Sequence, residues 1–252
     1  MVVPGMILSN LNVMPPEGGA AIEQIVLRVT HFAAGITWIG LLYFFNLIAS
    51  PVMAKCDPQL RSRFYAELMP RAMWWFRFSA VLTWLAGFRY FMILAKTDAI
   101  NAGNPALMGR WLGIWFGCWV VAFAILMGLL QSPIAKNGWL LTAAAAIVLT
   151  AAAWLVLHWI AGPTVGNRTL SISVGGGLGT IMFLSVWGVV WRCQKKLIKW
   201  HRESVEHGTP MPPEAAKVAR LSYVTARLNF WISFPMLFFM AAASHFPIFS
   251  GQ

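Results

Sequence analysis

Three histidines and four arginines stand where an otherwise apolar sequence has little use for them. His31, His158 and His245 fall within, or at the ends of, long apolar stretches. Imidazoles converging from different helices can ligate haem iron or another transition metal through a ring nitrogen. Each could instead make a single interhelical hydrogen bond, or sit at an interface as tryptophan does. Arg28, Arg77, Arg89 and Arg227 also lie inside apolar stretches. A guanidinium at such depth is costly unless paired or hydrated, so each marks a candidate functional position. No Asp or Glu lies within those stretches, so a carboxylate proton relay or a carboxylate-bound metal has nothing to use. The partners left are backbone carbonyls, loop carboxylates, lipid phosphate or an anionic ligand such as a haem propionate. Arg28, near the end of its stretch, has snorkelling as an alternative. His31, His158 and His245 form the candidate metal-ligating set. Together with Arg77, Arg227 and Trp38 they form the candidate cofactor-binding set. No residue is assigned a catalytic role.

The elements that must position these groups are helices in a bilayer. Of 252 residues, 59% are hydrophobic and 11% charged, too little charge to cover a soluble domain of this size. Apolar stretches fall at roughly 25–50, 72–95, 108–131, 138–162, 170–192 and 220–247. Each reaches the ~20 residues that a helix needs to cross the hydrocarbon core. Pro51, Pro133, Gly162-Pro163 and Pro212-Pro213 punctuate their ends. The expected fold is all-α, an integral membrane helical bundle of about six transmembrane helices. Residues 1–21 are expected as a separate segment in which Pro15, Pro16, Gly18 and Gly19 favour irregular structure, and 22–252 as the transmembrane domain.

A net charge of +11 would suggest nucleic acid in a soluble protein. Here the bases sit between apolar stretches and orient the chain instead. Lys55, Arg61, Arg63, Arg71, Lys136, Arg192, Lys195, Lys196, Lys199, Arg202, Lys217 and Arg220 lie in the first, third and fifth connections. Only Lys96, Arg110 and Arg168 lie in the others. The positive-inside rule then puts the connections at about 52–71 and 193–219 in the cytoplasm and both termini in the periplasm of a bacterial inner membrane. Segment 52–70 reads as a short interfacial helix and 193–213 as a mobile surface loop. No nucleic-acid partner is expected.

Other motifs read as structure. Cys56, Cys118 and Cys193 are scattered and there is no CxxCH, so covalently attached haem is not expected. Trp74, Trp75, Trp111, Trp139, Trp159 and Trp200 lie near stretch ends, as an interfacial belt does. Trp38, Trp84 and Trp231 lie deeper, available either to packing or to a cofactor cavity. Gly175-Gly176-Gly177-Leu178-Gly179 lies inside an apolar stretch with no strand before it, so it suits close helix approach rather than a nucleotide.

Several segments together resemble a family. The run His31-Phe-Ala-Ala-Gly35-Ile-Thr-Trp38-Ile-Gly40-Leu-Leu-Tyr43-Phe-Phe-Asn46 resembles the first span of the membrane domain of bacterial membrane-bound urate oxidases. Trp74-Trp75-Phe76-Arg77-Phe78 with Thr83-Trp84-Leu85-Ala86-Gly87, then Gly177-Leu178-Gly179-Thr180-Ile181-Met182 with Gln194-Lys195-Lys196, resemble later spans. The last helix, from Asn229 through Pro235 to Ser244-His245-Phe246-Pro247, resembles the final one. The resemblance implies a membrane domain that usually precedes a periplasmic cytochrome c domain, and oxidation of urate with electrons passed to cytochrome c. His31 and His245 match the family pattern. Ser173 and Leu228 stand where histidines are expected, with Arg227 beside the second.

Two functions stay open. One is a redox protein that holds haem b or a metal at His31, His158 and His245 and passes electrons to a separate cytochrome c, with urate as the substrate the resemblance implies. The other is a non-catalytic accessory subunit of a larger respiratory or photosynthetic complex, favoured by Ser173 and Leu228. A transporter is disfavoured, because the sequence has no inverted repeat and no buried carboxylate for ion coupling.

Overall fold

The computed structural model describes residues 18–249. Most of the segment expected over 1–21, including Pro15 and Pro16, lies outside the described residues. Six helices are long and apolar enough to cross a membrane: α1 Gly19–Lys55, α2 Pro58–Asn101, α3 Leu107–Gln131, α4 Gly138–Ile160, α5 Asn167–His207 and α6 Ala215–His245. No strand occurs among the described residues. The all-α bundle with six candidate spans is therefore as the sequence leads one to expect.

Local chemistry sets the helix ends. Asp57 caps α2, its carboxylate accepting from the Leu60 amide at 2.8 Å, with Pro58 following at the first turn. Asn137 caps α4 by accepting from Trp139 and Leu140 amides. The last turn of α5 closes on Gly208 at φ +67°, a left-handed conformation that glycine adopts without strain. In α1 a wider π-helical turn, Phe44–Ala49, immediately precedes Pro51. Proline has no N–H to give and its ring would meet the carbonyl one turn back, a conflict that a wider turn relieves. A second π-helical turn, Val186–Val190, interrupts α5.

Two expected connections turn out to be mostly helix. At 44 residues, α2 is about 66 Å long at 1.5 Å per residue, roughly twice the hydrocarbon thickness. It absorbs the segment read as a separate interfacial helix. Likewise α5 runs on to His207, so the stretch expected as a mobile loop is largely an amphipathic helical extension. The Lys, Arg, Gln and Glu residues there are good helix formers, and once the apolar part is helical nothing in them stops propagation.

Helix α5 is the centre of the bundle. It packs against α2, α3, α4 and α6, and 56% of its most apolar window is buried, against 22% for α3 and α4. Small residues make this possible. A Cβ on Gly177 would coincide with the Trp119 indole of α3, and one on Gly175 would meet Phe239 Cβ at 3.1 Å and the Met236 carbonyl at 3.2 Å on α6. Two buried α5 hydroxyls are satisfied within the helix, Ser173 by donating to Leu170 O at 2.7 Å and Thr180 to Gly176 O at 2.8 Å, whereas that of Ser185 is buried without a partner. Interhelical bonds add to this: Trp84 Nε1 donates to Thr180 Oγ1, Trp115 Nε1 to the Ser173 carbonyl and Asn229 Nδ2 to the Met182 carbonyl. Outward faces carry large apolar side chains such as Trp139 (87% exposed) and Ile36 (74%), a surface that suits lipid rather than water.

Placing a methyl at Gly177 forces the Trp119 ring out of a fully buried slot. Gly177→Ala should cost about 1–3 kcal/mol or more, read as a fall of several degrees in the Tm of the full chain in detergent. Gly113→Ala, where a Cβ meets nothing within 4 Å, should leave the Tm within error.

Candidate functional site

His31 is held across the α1–α2 seam. Its Nδ1–H donates to the Thr83 carbonyl of α2 at 2.8 Å. A carbonyl only accepts, so this bond fixes the neutral tautomer with the proton on Nδ1 and the lone pair on Nε2. The ring reaches α2 because position 87 is glycine: a Cβ there would lie 2.7 Å from both His31 Cε1 and Nδ1. An imidazole whose Nδ1–H is tied to a backbone carbonyl is oriented as metal-ligating histidines are.

His31 lines a cavity of about 580 Å³ between α1, α2, α5 and α6, within the range of small-molecule sites. Its walls are mainly apolar. Trp84 stacks between Phe88 (centroids 5.0 Å apart) and Phe183 (5.1 Å), and Phe88 continues onto Trp115 at 5.7 Å. Gly40, Gly176 and Gly179 leave parts of the wall without side chains. Polar groups are few. Arg28 lies one turn before His31 on α1, and His245, the last residue of α6, lines the same cavity. Beyond His245, Asn167 Oδ1 accepts the Ile248 and Phe249 amides at 3.1 Å and ties the returning chain to the start of α5. No carboxylate lines the cavity. Trp38, also on its wall, is only 3% exposed, and its indole N–H is buried without a partner.

The structure thus brings together His31, His245 and Trp38 from the sequence-derived set, and adds Arg28. The others go elsewhere. His158 is exposed on α4, stacked on Trp154 at 5.3 Å. Val156 and Ile160 are the buried positions of that turn, and a residue midway between two that are four apart lies on the opposite helix face. Among the described residues no three of His, Cys, Asp and Glu come together as a metal site, so the three-histidine cluster is not assembled. Arg77 packs over Trp191 at 3.8 Å and Phe78 at 4.9 Å; cation–π contact supplies the partner that carboxylates cannot. Arg89 pairs with Glu23 at 2.7 Å. Arg227 lies at the other end of the bundle, donating to Tyr223 Oη at 3.1 Å. Trp231 faces outward. Neither Ser173 nor Leu228 lines the cavity.

Sequence reasoning missed Gly87 as a site residue. Its signal was available, since Thr83 and Gly87 are one turn apart on α2. Only the helix pairing shows that His31 meets them.

Residues 61–252 match the family model described as Urate oxidase N-terminal. No curated protein and no solved structure matches the chain. The matched span includes His245 and Gly87, whereas His31 and Trp38, on α1, precede it.

Nitrogen-15 NMR on the histidine-labelled full chain should find His31 with a protonated Nδ1 and an unprotonated Nε2. Gly87→Ala should remove that signature by displacing the ring. A wild-type His31 protonated on Nε2 instead would break the assignment.

Proposed function

The chain belongs to the urate oxidase N-terminal family, and from that premise we propose that it is a multi-pass bacterial inner-membrane redox protein whose His31 cavity takes a planar haem of the b type. Electrons pass on to a separate cytochrome c, and urate is the substrate that family membership suggests. The observation that carries the reading is His31 itself: a tautomer fixed by Thr83 O, a seat that only Gly87 allows, and a free Nε2 on a cavity shared with His245.

The residues present fit such a group in several respects. His31 and His245 supply imidazoles from two helices, and haem iron needs only one or two from the protein. Glycine-walled and aromatic surfaces suit a flat macrocycle. Arg28 supplies the cation that a propionate would pair with, and the Trp38 N–H supplies a buried donor still in need of an acceptor. A bare metal ion fits less well, because a third protein ligand is absent among the described residues.

When bound, haem supplies one-electron exchange. The chain's own part is to orient and exclude. Thr83 O holds the His31 ring in register and keeps its basic nitrogen on Nε2. Trp84, Phe88 and Trp115 pack the wall and keep water out. Asn167 fixes the backbone that follows His245. If both termini are periplasmic, the cavity lies in the outer half of the membrane, on the side where a periplasmic cytochrome c would meet it.

The experiment is a reduced-minus-oxidised absorption spectrum, with a pyridine haemochrome assay, on protein purified alone in mild detergent. The reading expects a b-type signal near one haem per chain, abolished by His31→Ala and unchanged by His207→Ala at the far end of α5. A colourless protein would overturn the haem proposal and favour an accessory subunit of a larger complex, to be pursued through what it co-purifies with.

A further inference from the structure

At the opposite end of the bundle is a second cavity of about 810 Å³, bounded by the end of α1, the start of α2, the extension of α5 and the start of α6. Its charge is one-sided. Arg61, Arg220 and Arg227 line it and no Asp or Glu does. None of the three arginines has a carboxylate partner among the described residues. Arg61 is committed to the end of α1, donating to Met53 O and Cys56 O at 3.0 Å. Arg220 donates to Ala135 O at 3.3 Å and Arg227 to Tyr223 Oη at 3.1 Å, both exposed, and the Arg227 guanidinium also lies 5.6 and 5.8 Å from the Tyr223 and Phe230 ring centroids.

Two further observations point to a ligand. Gln194 on the wall is 8% exposed; its Nε2 donates to Ser222 Oγ at 3.0 Å, and its Oε1 is buried with no partner. Both π-helical turns of the bundle also reach this cavity, one through Phe45, Asn46 and Ala49 and the other through Val190, and such turns recur at functional sites. The rest of the wall is mainly apolar, with methionines from α1 and α2 that suit an acyl chain, and carries Ser62, Tyr65 and His201 among its polar groups.

We infer that this cavity is a binding site for an anionic phosphodiester whose head group carries a hydroxyl, the chemistry of an acidic glycerophospholipid. Guanidinium groups recognise phosphate oxygens in fork geometry. Basic pockets between helices at a membrane surface are suited to acidic lipid head groups. The head-group hydroxyl donates to Gln194 Oε1, an acceptor that a phosphodiester, with no proton at neutral pH, cannot itself satisfy, and the acyl chains lie on the methionine-lined wall. The site is separate from the His31 cavity and its test requires no cofactor.

The test titrates the full chain in detergent with short-chain phosphatidylglycerol, short-chain phosphatidylcholine or inorganic phosphate, following Tm. Phosphatidylglycerol should raise Tm saturably and phosphatidylcholine should not. Arg220→Gln with Arg227→Gln should raise the half-saturating concentration about tenfold or more, as expected for lost charged hydrogen bonds, while Lys96→Gln leaves it unchanged. A shift with inorganic phosphate alone, at similar concentration, would support the phosphate chemistry and assign its source to the aqueous phase. Equal response to both lipids, or unaltered binding by the double variant, would overturn the proposal. Should the double variant not fold, phenylglyoxal modification of native protein decides: phosphatidylglycerol must slow reaction at Arg220 and Arg227, and unslowed reaction sinks the site.

Discussion

Three missing Cβ atoms hold this bundle together. At Gly87 the backbone of α2 is met by the His31 ring, at Gly177 that of α5 by the Trp119 ring, and at Gly175 by the backbone and side chains of α6. In lipid there is little hydrophobic drive between helices, so close van der Waals approach and interhelical hydrogen bonds must supply cohesion. A ring lying on a bare backbone gives both at once, because it packs flat and can reach a carbonyl. His31 does this with Thr83 O. Position 87 is therefore both a packing site and the reason that a histidine from α1 has a defined tautomer.

The same economy governs the buried polar groups. With no acid within the apolar stretches, donors turn to backbone carbonyls: Trp115 to Ser173 O, Asn46 to Ala226 O, Asn229 to Met182 O. Arg77 finds none for its buried Nε and rests on tryptophan faces instead. The bonds that tie helices together gather on α5 and α6.

Most of the architecture was legible in the sequence because six apolar stretches leave few alternatives. What was not legible follows from two physical limits. The extents of α2 and α5 could not be read, since a polar stretch continuing an apolar helix looks like a loop until its amphipathic face has a partner. Rotation about the helix axis was the other limit. His31, His158 and His245 all fall within or at the ends of apolar stretches, but α4 is apolar on all sides, so no contrast marks the face that carries His158. In α1 and α6 the resemblance to a known family supplied what periodicity withheld. The second cavity had its own signals in Pro51, Asn46 and Gln194, polar or helix-breaking residues beside apolar stretches, which are uninformative until four helix ends are seen to meet.

Unpaired donors separate the two readings of a buried tryptophan. Trp38, Trp119 and Trp187 all have a buried indole nitrogen without a partner, and leaving such a group unmade costs about 1–3 kcal/mol. For Trp119 the cause is visible: the ring is pressed on Gly177, and closeness of packing is what the lost bond secures. Trp187 lies beside the Arg77 guanidinium, whose cation occupies its face. Trp38 has neither explanation. It belongs to the lining of the cavity that also carries His31 and His245, with its Nε1 closed off from that space. An unmet donor in a packed seam is a compromise; one closed into a cavity wall meets a ligand only if its ring turns. That donor lines the same cavity in which the proposed function places its ligand.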